Sequence, residues 1–242
     1  MLPPVSVIMP CGYGEGYFPL ALKCFLRQDY KGPLELIFLD NNITPVEHLL
    51  PKDDRIKYHR CGRMPIGDLR NLCCELATGD IIVHFDEDDW SSSDRISTQV
   101  ELLQRSGTSM VGYTNILYYQ MAPDSTGGTY KYYFDISTIR GGRFGVLTQS
   151  KYATGTSQMY LRDWWKKHPF QSLGRGEDYW AQDTANKAGQ LHSVDGGHYV
   201  VARAHPGSLS PPMLGHAQFP QVPRADFPEQ FFTDTQTHSF SA

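Results

Sequence analysis

Residues 80–89 have the sequence DIIVHFDEDD, in which an apolar run passes directly into four acidic residues. The run has the length and the β-branched content of a strand that is buried on both faces. Side chains two residues apart in an extended segment point to the same side, so Asp86 and Asp88 can both face one cation. Mg²⁺ or Mn²⁺ shared with substrate phosphates needs only one or two carboxylates. An isolated D-x-D is usually a solvated acidic turn, but its place at the end of a buried strand favours a metal site.

Apolar runs typical of strands alternate with helical spacing through the first half of the chain. The strands are predicted at residues 5–9, 34–39, 55–59 and 80–85, and the helices at residues 17–28, 66–77 and 92–105. This alternation predicts an α/β, Rossmann-like fold with a mixed, mostly parallel sheet that is flanked by helices.

The second half is richer in β-forming residues. It predicts a long hairpin from residues 110–121 and 130–134 around a turn at 124–128, further strands at 158–161 and within 192–204, and a helix at 177–188. The Pro- and Phe-rich residues after Pro206 are predicted to be irregular and to cover their own domain or a partner. We therefore expect one domain over residues 1–210, with halves 1–106 and 107–210, followed by a tail at 211–242.

Composition excludes several classes of protein. The 242 residues carry 22 Lys and Arg against 26 Asp and Glu, a net charge of −4 that is unusual for a nucleic-acid-binding protein. No apolar run approaches the roughly 18 residues of a membrane span, and no basic segment leads into an apolar stretch at the start. The five cysteines include no C-x-x-C, which argues against a disulfide framework or a zinc site. We expect a soluble, cytoplasmic globular protein without a signal peptide.

Two other strand ends also carry distinctive residues, and ligands of open parallel sheets bind at that edge. They are Pro10-Cys11-Gly12 and Asp40-Asn41-Asn42. Asp40 can accept a hydrogen bond from a base N–H or a ribose hydroxyl, or equally can cap a turn. Arg70, early in the predicted helix, can reach the same cleft or pair with an acidic residue on its own helix.

A second acidic site follows residues 174–176, where Glu177 and Asp178 begin a predicted helix. A general base needs an ionised carboxylate close to a hydroxyl proton. Carboxylates in a first helical turn are also favourable against the helix dipole without any function, and the local pattern favours that account. His205 follows a predicted strand, where a histidine is more often a turn residue than a ligand.

Taken together, these motifs resemble the family 2 inverting glycosyltransferases of GT-A fold. The resemblance covers about Val5 to Ser210. It is carried in order by VSVIMP (5–10), LELIFLD (34–40), RNLCCELATGD (70–80), FDEDD (85–89), GTS (155–157), GED (176–178) and RAHPGSLS (203–210).

The resemblance implies transfer of a sugar from a nucleotide diphosphate donor, with a UDP-sugar favoured, to a hydroxyl acceptor such as a saccharide of a surface glycan. It implies that Asp86, Asp88 and His205 hold a divalent cation, manganese or magnesium. Asp178 would be the catalytic base, with Glu177 beside it. The donor would be bound by Pro10, Cys11, Asp40, Arg70, Asp86, Glu87, Gly155 and Thr156. Peripheral contact with the inner face of a membrane and a homo-oligomer are compatible with it, and no nucleic-acid partner is expected.

Two departures from the family pattern fall at the expected nucleobase pocket. Cys11-Gly12-Tyr13 stands where members commonly have T-Y-N, and Asp40-Asn41-Asn42 stands where they have D-D-G-S. The base of the donor is therefore not assigned from the sequence.

Two other functions fit the same fold. A sugar nucleotidyltransferase usually carries a Gly-rich loop with Lys or Arg after its first strand, but residues 11–17 contain neither cation. A catalytically inactive nucleotide- or saccharide-binding module remains the second alternative, and the retained Asp86, Asp88 and Asp178 count against it.

Overall fold

The computed structural model describes residues 1–12, 16–121, 129–131, 152–205, 207–208 and 222–236. Its main sheet has seven strands in the order β10-β6-β9-β4-β1-β2-β3. These strands are β1 (Val5–Cys11), β2 (Leu34–Asp40), β3 (Ile56–Arg60), β4 (Ile81–His84), β6 (Met110–Asn115), β9 (Met159–Leu161) and β10 (Leu191–Asp195). β9 runs antiparallel to both of its neighbours, whereas the other neighbouring pairs are parallel. The predicted mixed, mostly parallel α/β sheet is confirmed.

A second, four-stranded sheet has the order β5-β11-β7-β8. Its strands are β5 (Trp90–Ser91), β7 (Leu117–Gln120), β8 (Thr129–Lys131) and β11 (Val200–Ala204). β5 follows directly after the acidic turn, and β11 ends immediately before His205. The small sheet therefore brings the end of the second half of the chain next to the acidic turn.

Six α-helices are described. They are α1 (Phe18–Leu26), α2 (Ile66–Leu76), α3 (Arg95–Ser106), α4 (Arg162–Lys167), α5 (Glu177–Lys187) and α6 (Glu229–Gln236). None of the described helices is long and apolar enough to cross a membrane.

Strand β1 lies at the centre of the main sheet, and all seven of its residues are buried. Val7 and Met9 belong to one apolar cluster with residues of α1 and α3, whereas Ile8 belongs to another with residues of α2, α4 and α5. Since successive side chains of a strand point to opposite faces, the two clusters are the two sides of the sheet. Helices cover both faces, as the sequence predicts.

The predicted strand at residues 110–121 is in fact two strands in different sheets. Met110–Asn115 pairs with β9 and β10, and Leu117–Gln120 pairs with β11 and β8. The chain changes sheets at Ile116, which is fully buried. A hairpin-like antiparallel pair does form, with Tyr118 opposite Tyr130, but its turn at 124–128 lies outside the described residues. Strand β5 and helix α4, which are short, were not predicted from the sequence.

The prediction that no regular structure follows Pro206 is wrong for helix α6. Phe227, Phe231 and Phe232 are buried in the core cluster on the α1 and α3 side of the sheet. Asp234 accepts a hydrogen bond of 2.8 Å from Trp90 Nε1 and forms ion pairs with Lys23 and Arg27. The described part of the tail therefore packs on its own domain, as expected, and it does so as a helix.

We expect Phe231→Ala to lower the free energy of unfolding by about 3–5 kcal/mol, because the ring is fully buried and its loss leaves a cavity. Thr233→Ala on the exposed side of the same helix is the matched control, with an expected change within about 0.5 kcal/mol. Urea denaturation measures both. Equal stabilities of the two variants would contradict the docking of this helix.

Candidate active site

The carboxyl ends of three adjacent strands bring the sequence-predicted residues to one edge of the sheet. Cys11 at the end of β1 lies opposite Asp40 at the end of β2. β4 pairs with the other side of β1 and continues into residues 86–89. The strand ends therefore meet as the sequence predicts, and each carboxylate has its own environment there.

Glu87 joins the acidic turn to the end of β1. It is almost fully buried, and its Oε1 accepts a hydrogen bond of 2.6 Å from the backbone N–H of Gly12. The Cys11 thiol donates to Glu87 Oε2 over 2.9 Å. Burial, followed by the nearby Glu87 charge, raises the pKa of Cys11, so the sulfur keeps the proton that it donates. The side chains of Cys11 and Glu87 thus form a hydrogen bond with each other. Both residues were expected to bind the nucleotide-sugar donor in this region.

Asp40 is completely buried and serves the loop that follows it. Its two oxygens accept hydrogen bonds from the N–H and the side-chain amide of Asn42, from the N–H of Val46, and from the hydroxyl of Tyr58. Burial alone would raise the pKa of Asp40, but these hydrogen bonds outweigh it and the pKa is lowered. The carboxylate therefore holds the shape of the expected base pocket, and the half-buried Asn41 lies beside it.

Arg70 is the cation at the centre of the site, and it does not pair with an acidic residue of its own helix. Its Nε donates to Glu177 Oε1 over 2.8 Å, and its Nη2 donates to Asp86 Oδ1 over 3.3 Å. Only 6% of the Arg70 side chain and 4% of the Glu177 side chain are exposed, so this pair is shielded from water. Arg70 therefore ties helix α2 to the acidic turn and to the start of helix α5.

A histidine that the sequence analysis did not single out lies beneath this ion pair. His84 is fully buried, with its Nδ1 2.5 Å from Arg70 Nη1 and its Nε2 3.0 Å from the hydroxyl of Tyr160. Burial, and then the Arg70 charge, lower the pKa of His84, so the ring is neutral. The only sequence signal was a polar residue inside an otherwise apolar strand.

Asp178 lies in the first turn of α5, after Gly176 in a left-handed conformation with φ of 82°. Its neighbour Glu177 turns towards Arg70, whereas Asp178 lies against Gly155. A Cβ on Gly155 would come within 2.0 Å of Asp178 Oδ2, so only glycine leaves room for the carboxylate. The GTS and GED motifs therefore meet in space.

The environment of Asp178 suits it to accept a proton. Burial, followed by the neighbouring Glu177 charge, raises the pKa of Asp178 to about 6, although Arg70 opposes the shift. At neutral pH this carboxylate is ionised, and it is more basic than an exposed aspartate. Glu177, in contrast, is held in the Arg70 ion pair.

On the other side of the acidic turn, Asp88 Oδ2 lies 3.0 Å from His205 Nε2. The His205 ring stacks on Tyr17 with 4.1 Å between ring centroids. Arg203 donates from its backbone N–H to Asp89 Oδ1 over 3.1 Å and from Nη2 to the Tyr17 carbonyl over 2.9 Å. Its Nε also donates to the Asp88 carbonyl. Arg203 and Tyr17, to which the sequence analysis gave no role, hold this side of the turn.

The residues present suit a divalent cation that is shared with a ligand. Within the described part of the chain, no three His, Cys, Asp or Glu side chains form a group that could hold a metal ion alone. Asp88 nevertheless supplies hard carboxylate oxygen and keeps 14% of its side chain exposed. Mg²⁺ takes one or two carboxylates and fills its other positions with phosphate oxygens and water. These carboxylate oxygens therefore suit a divalent cation whose remaining coordination positions are filled by the oxygens of a diphosphate.

Comparisons with known proteins agree with one another. The family model described as Glycosyl transferase family 2 matches residues 6–168. A curated relative from Haemophilus influenzae, named an uncharacterized glycosyltransferase, is 29% identical over 109 residues, which cover 42% of this chain and 43% of that protein.

Solved structures with a similar fold include two of S. aureus TarS residues 1-349. The crystal structure with UDP has a TM-score of 0.62 at 16% identity and covers 84% of this chain and 61% of that chain. The crystal structure with UDP-GlcNAc has a TM-score of 0.63 at 16% identity and covers 97% and 65%. At this identity the likeness shows the fold, and this chain spans less than two thirds of each TarS chain and less than half of the curated relative.

We expect the carboxyl carbon of Asp178 to titrate with a midpoint at about pH 6 in a ¹³C NMR experiment, because burial and Glu177 disfavour its ionised form. Asp178→Asn assigns the signal. Asp163 on α4 is the internal control, since a hydrogen bond from Lys166 lowers its pKa. A midpoint for Asp178 near 4, the ordinary range of an aspartate, would contradict the enclosed environment described here.

Proposed function

This chain belongs to glycosyl transferase family 2, and on that premise we propose that it transfers a sugar from a nucleoside diphosphate donor to a hydroxyl acceptor, with inversion at the anomeric carbon. One observation carries the proposal. Asp178, with a raised pKa, and Asp88, at the partly exposed acidic turn, lie at the same edge of the sheet, on either side of the Arg70 network.

Asp178 is the residue that we assign as general base. A base works best with a pKa near the operating pH, because it is then ionised and still attracts a proton. The pKa of about 6 satisfies both conditions at neutral pH. The carboxylate would take the proton of the acceptor hydroxyl as its oxygen attacks the anomeric carbon from the side opposite the diphosphate. No covalent enzyme intermediate is needed for this single displacement.

Glu177 does not compete for that role. Its side chain is 4% exposed, and Oε1 accepts from Arg70 Nε over 2.8 Å. Taking a proton would cost Glu177 its buried ion pair. The two adjacent carboxylates therefore have different roles in this proposal. Glu177 neutralises Arg70, whereas Asp178 lies against Gly155.

The donor would bind along the carboxyl ends of β1, β2 and β4. Asp88, with Asp86 beside it, would hold Mg²⁺ or Mn²⁺ together with the diphosphate. When bound, the ion supplies positive charge that stabilises the leaving diphosphate. A UDP-sugar is the donor class that we propose, because the similar TarS structures contain UDP and UDP-GlcNAc in an equivalent fold.

We propose a saccharide as the acceptor, although the described aromatic residues of the second half mostly serve the core. Tyr113 is fully buried and stacks on Tyr199 at 5.2 Å, and Tyr119 packs on Phe231 at the same centroid distance. Tyr132, Tyr133 and Phe134 lie outside the described residues. The proposed acceptor class therefore rests on the family and on the partial exposure of Asp178.

We expect Asp178→Asn to lower release of nucleoside diphosphate from the sugar donor, with water or a saccharide as acceptor, by at least about 100-fold, because the general base is lost. Nucleotide binding should persist, because Asn keeps the shape of the side chain. A thermal-shift assay measures this binding. Asp163→Asn on the exposed side of α4 is the matched control and should leave both quantities unchanged.

Full turnover by Asp178→Asn would show that the base is misassigned. Nucleotide binding without any turnover in the wild-type protein would instead favour a binding module.

A further inference from the structure

His205 has a hydrogen-bonding arrangement that conflicts with the ligand role implied by the sequence resemblance. Its side chain is 1% exposed and lies between the ring of Tyr17 and the carboxylate of Asp88. A histidine ligates a metal ion through a ring nitrogen that carries a lone pair. The question is therefore which of the two nitrogens carries the proton.

The backbone N–H of Gly207 shows which nitrogen of His205 carries the proton. The N–H of Gly207 points at His205 Nδ1 over 3.1 Å, and a backbone N–H can only donate. Nδ1 must therefore carry the lone pair. A neutral imidazole has one N–H, so the proton is on Nε2, the nitrogen that lies 3.0 Å from Asp88 Oδ2. An Nε2 that donates to Asp88 has no lone pair left for a metal ion.

The turn that follows β11 fixes this tautomer. The N–H of His205 donates to Ser208 Oγ over 3.1 Å, and the N–H of Ser208 donates back to the His205 carbonyl over 3.0 Å. These two hydrogen bonds hold Gly207 over the ring edge. The stack on Tyr17, with rings 20° from parallel, limits rotation of the imidazole. Binding a metal through Nε2 would require the Gly207 hydrogen bond to break.

We propose that His205 is a positioning residue that donates from Nε2 to Asp88 and is not itself a metal ligand. The hydrogen bond engages Oδ2, which leaves the second oxygen of Asp88 to receive the cation or its water. Hydrogen-bonded partners behind a ligating carboxylate commonly fix its orientation. The role of Asp88 rests on the proposed function, whereas the assignment of the His205 proton does not.

Long-range ¹H–¹⁵N correlation spectra of protein labelled with [¹⁵N]histidine test the assignment directly. His205 is identified by the signal that disappears in His205→Gln. The expected pattern is a protonated Nε2 and an unprotonated Nδ1 in the free protein, unchanged by Mg²⁺ with UDP. A proton on Nδ1 in the free protein, or loss of the Nε2 proton when Mg²⁺ and UDP are added, would overturn the proposal.

Two variants of His205 distinguish a residue that positions Asp88 from one that ligates the cation. For each variant, calorimetry measures the affinity for UDP with and without Mg²⁺. His205→Gln keeps an N–H of similar reach, and His205→Phe keeps the stack on Tyr17 but loses the donor. We expect the Mg²⁺-dependent gain in UDP affinity to persist in the Gln variant and to fall by about 10–100-fold in the Phe variant. Equal losses in both would overturn the positioning role. Absence of UDP binding by the wild-type protein would count against the proposed donor, and the proton assignment would still be decided by the spectra.

Discussion

The buried guanidinium of Arg70 holds the acidic edge of the sheet together. Asp86, Asp88, Glu177 and Asp178 belong to two distant parts of the chain, and like charges at short range destabilise a fold unless a cation lies among them. Arg70 bonds one carboxylate from each part. Removing one member of a buried ion pair typically costs about 3–5 kcal/mol, because the other charge is left without a partner. The pair with Glu177 ties the start of α5, and with it Asp178, to helix α2.

The opposite side of the acidic turn is held by the small sheet. Arg203 and His205 come from β11 and the residue after it, and they bond the backbone and the side chain of Asp88. Helix α6 adds Asp234 behind Trp90, only two residues beyond Asp88. The turn is therefore fixed from both sides by residues far away in sequence. Such fixed polar groups need little reorganisation when charge develops on a bound diphosphate.

Local patterns were sufficient to predict the strands of the main sheet, helices α1, α2, α3 and α5, and the three strand ends that form the site. Long-range hydrogen bonds were not predictable, and they decide what individual carboxylates do. The sequence left Asp40 available to a nucleobase. In the structure, however, its Oδ2 accepts hydrogen bonds from the Val46 N–H and the Tyr58 hydroxyl. Helix α6 was missed because prolines dominate the tail, although Phe227, Phe231 and Phe232 have helical spacing. The switch of sheets at Ile116 has no local signal, since both flanking segments are equally β-forming.

We propose above all that this edge of the sheet binds a nucleoside diphosphate together with a divalent cation. Thermal unfolding with UDP, GDP, CDP or dTDP, each with and without Mn²⁺, measures it most directly, because a ligand of the folded state raises the melting temperature by mass action. We predict a rise with one nucleotide, UDP foremost, that depends on Mn²⁺ and is lost in Asp88→Ala. An unchanged melting temperature with all four nucleotides, in the presence of Mn²⁺ and at millimolar concentration, would contradict the claim.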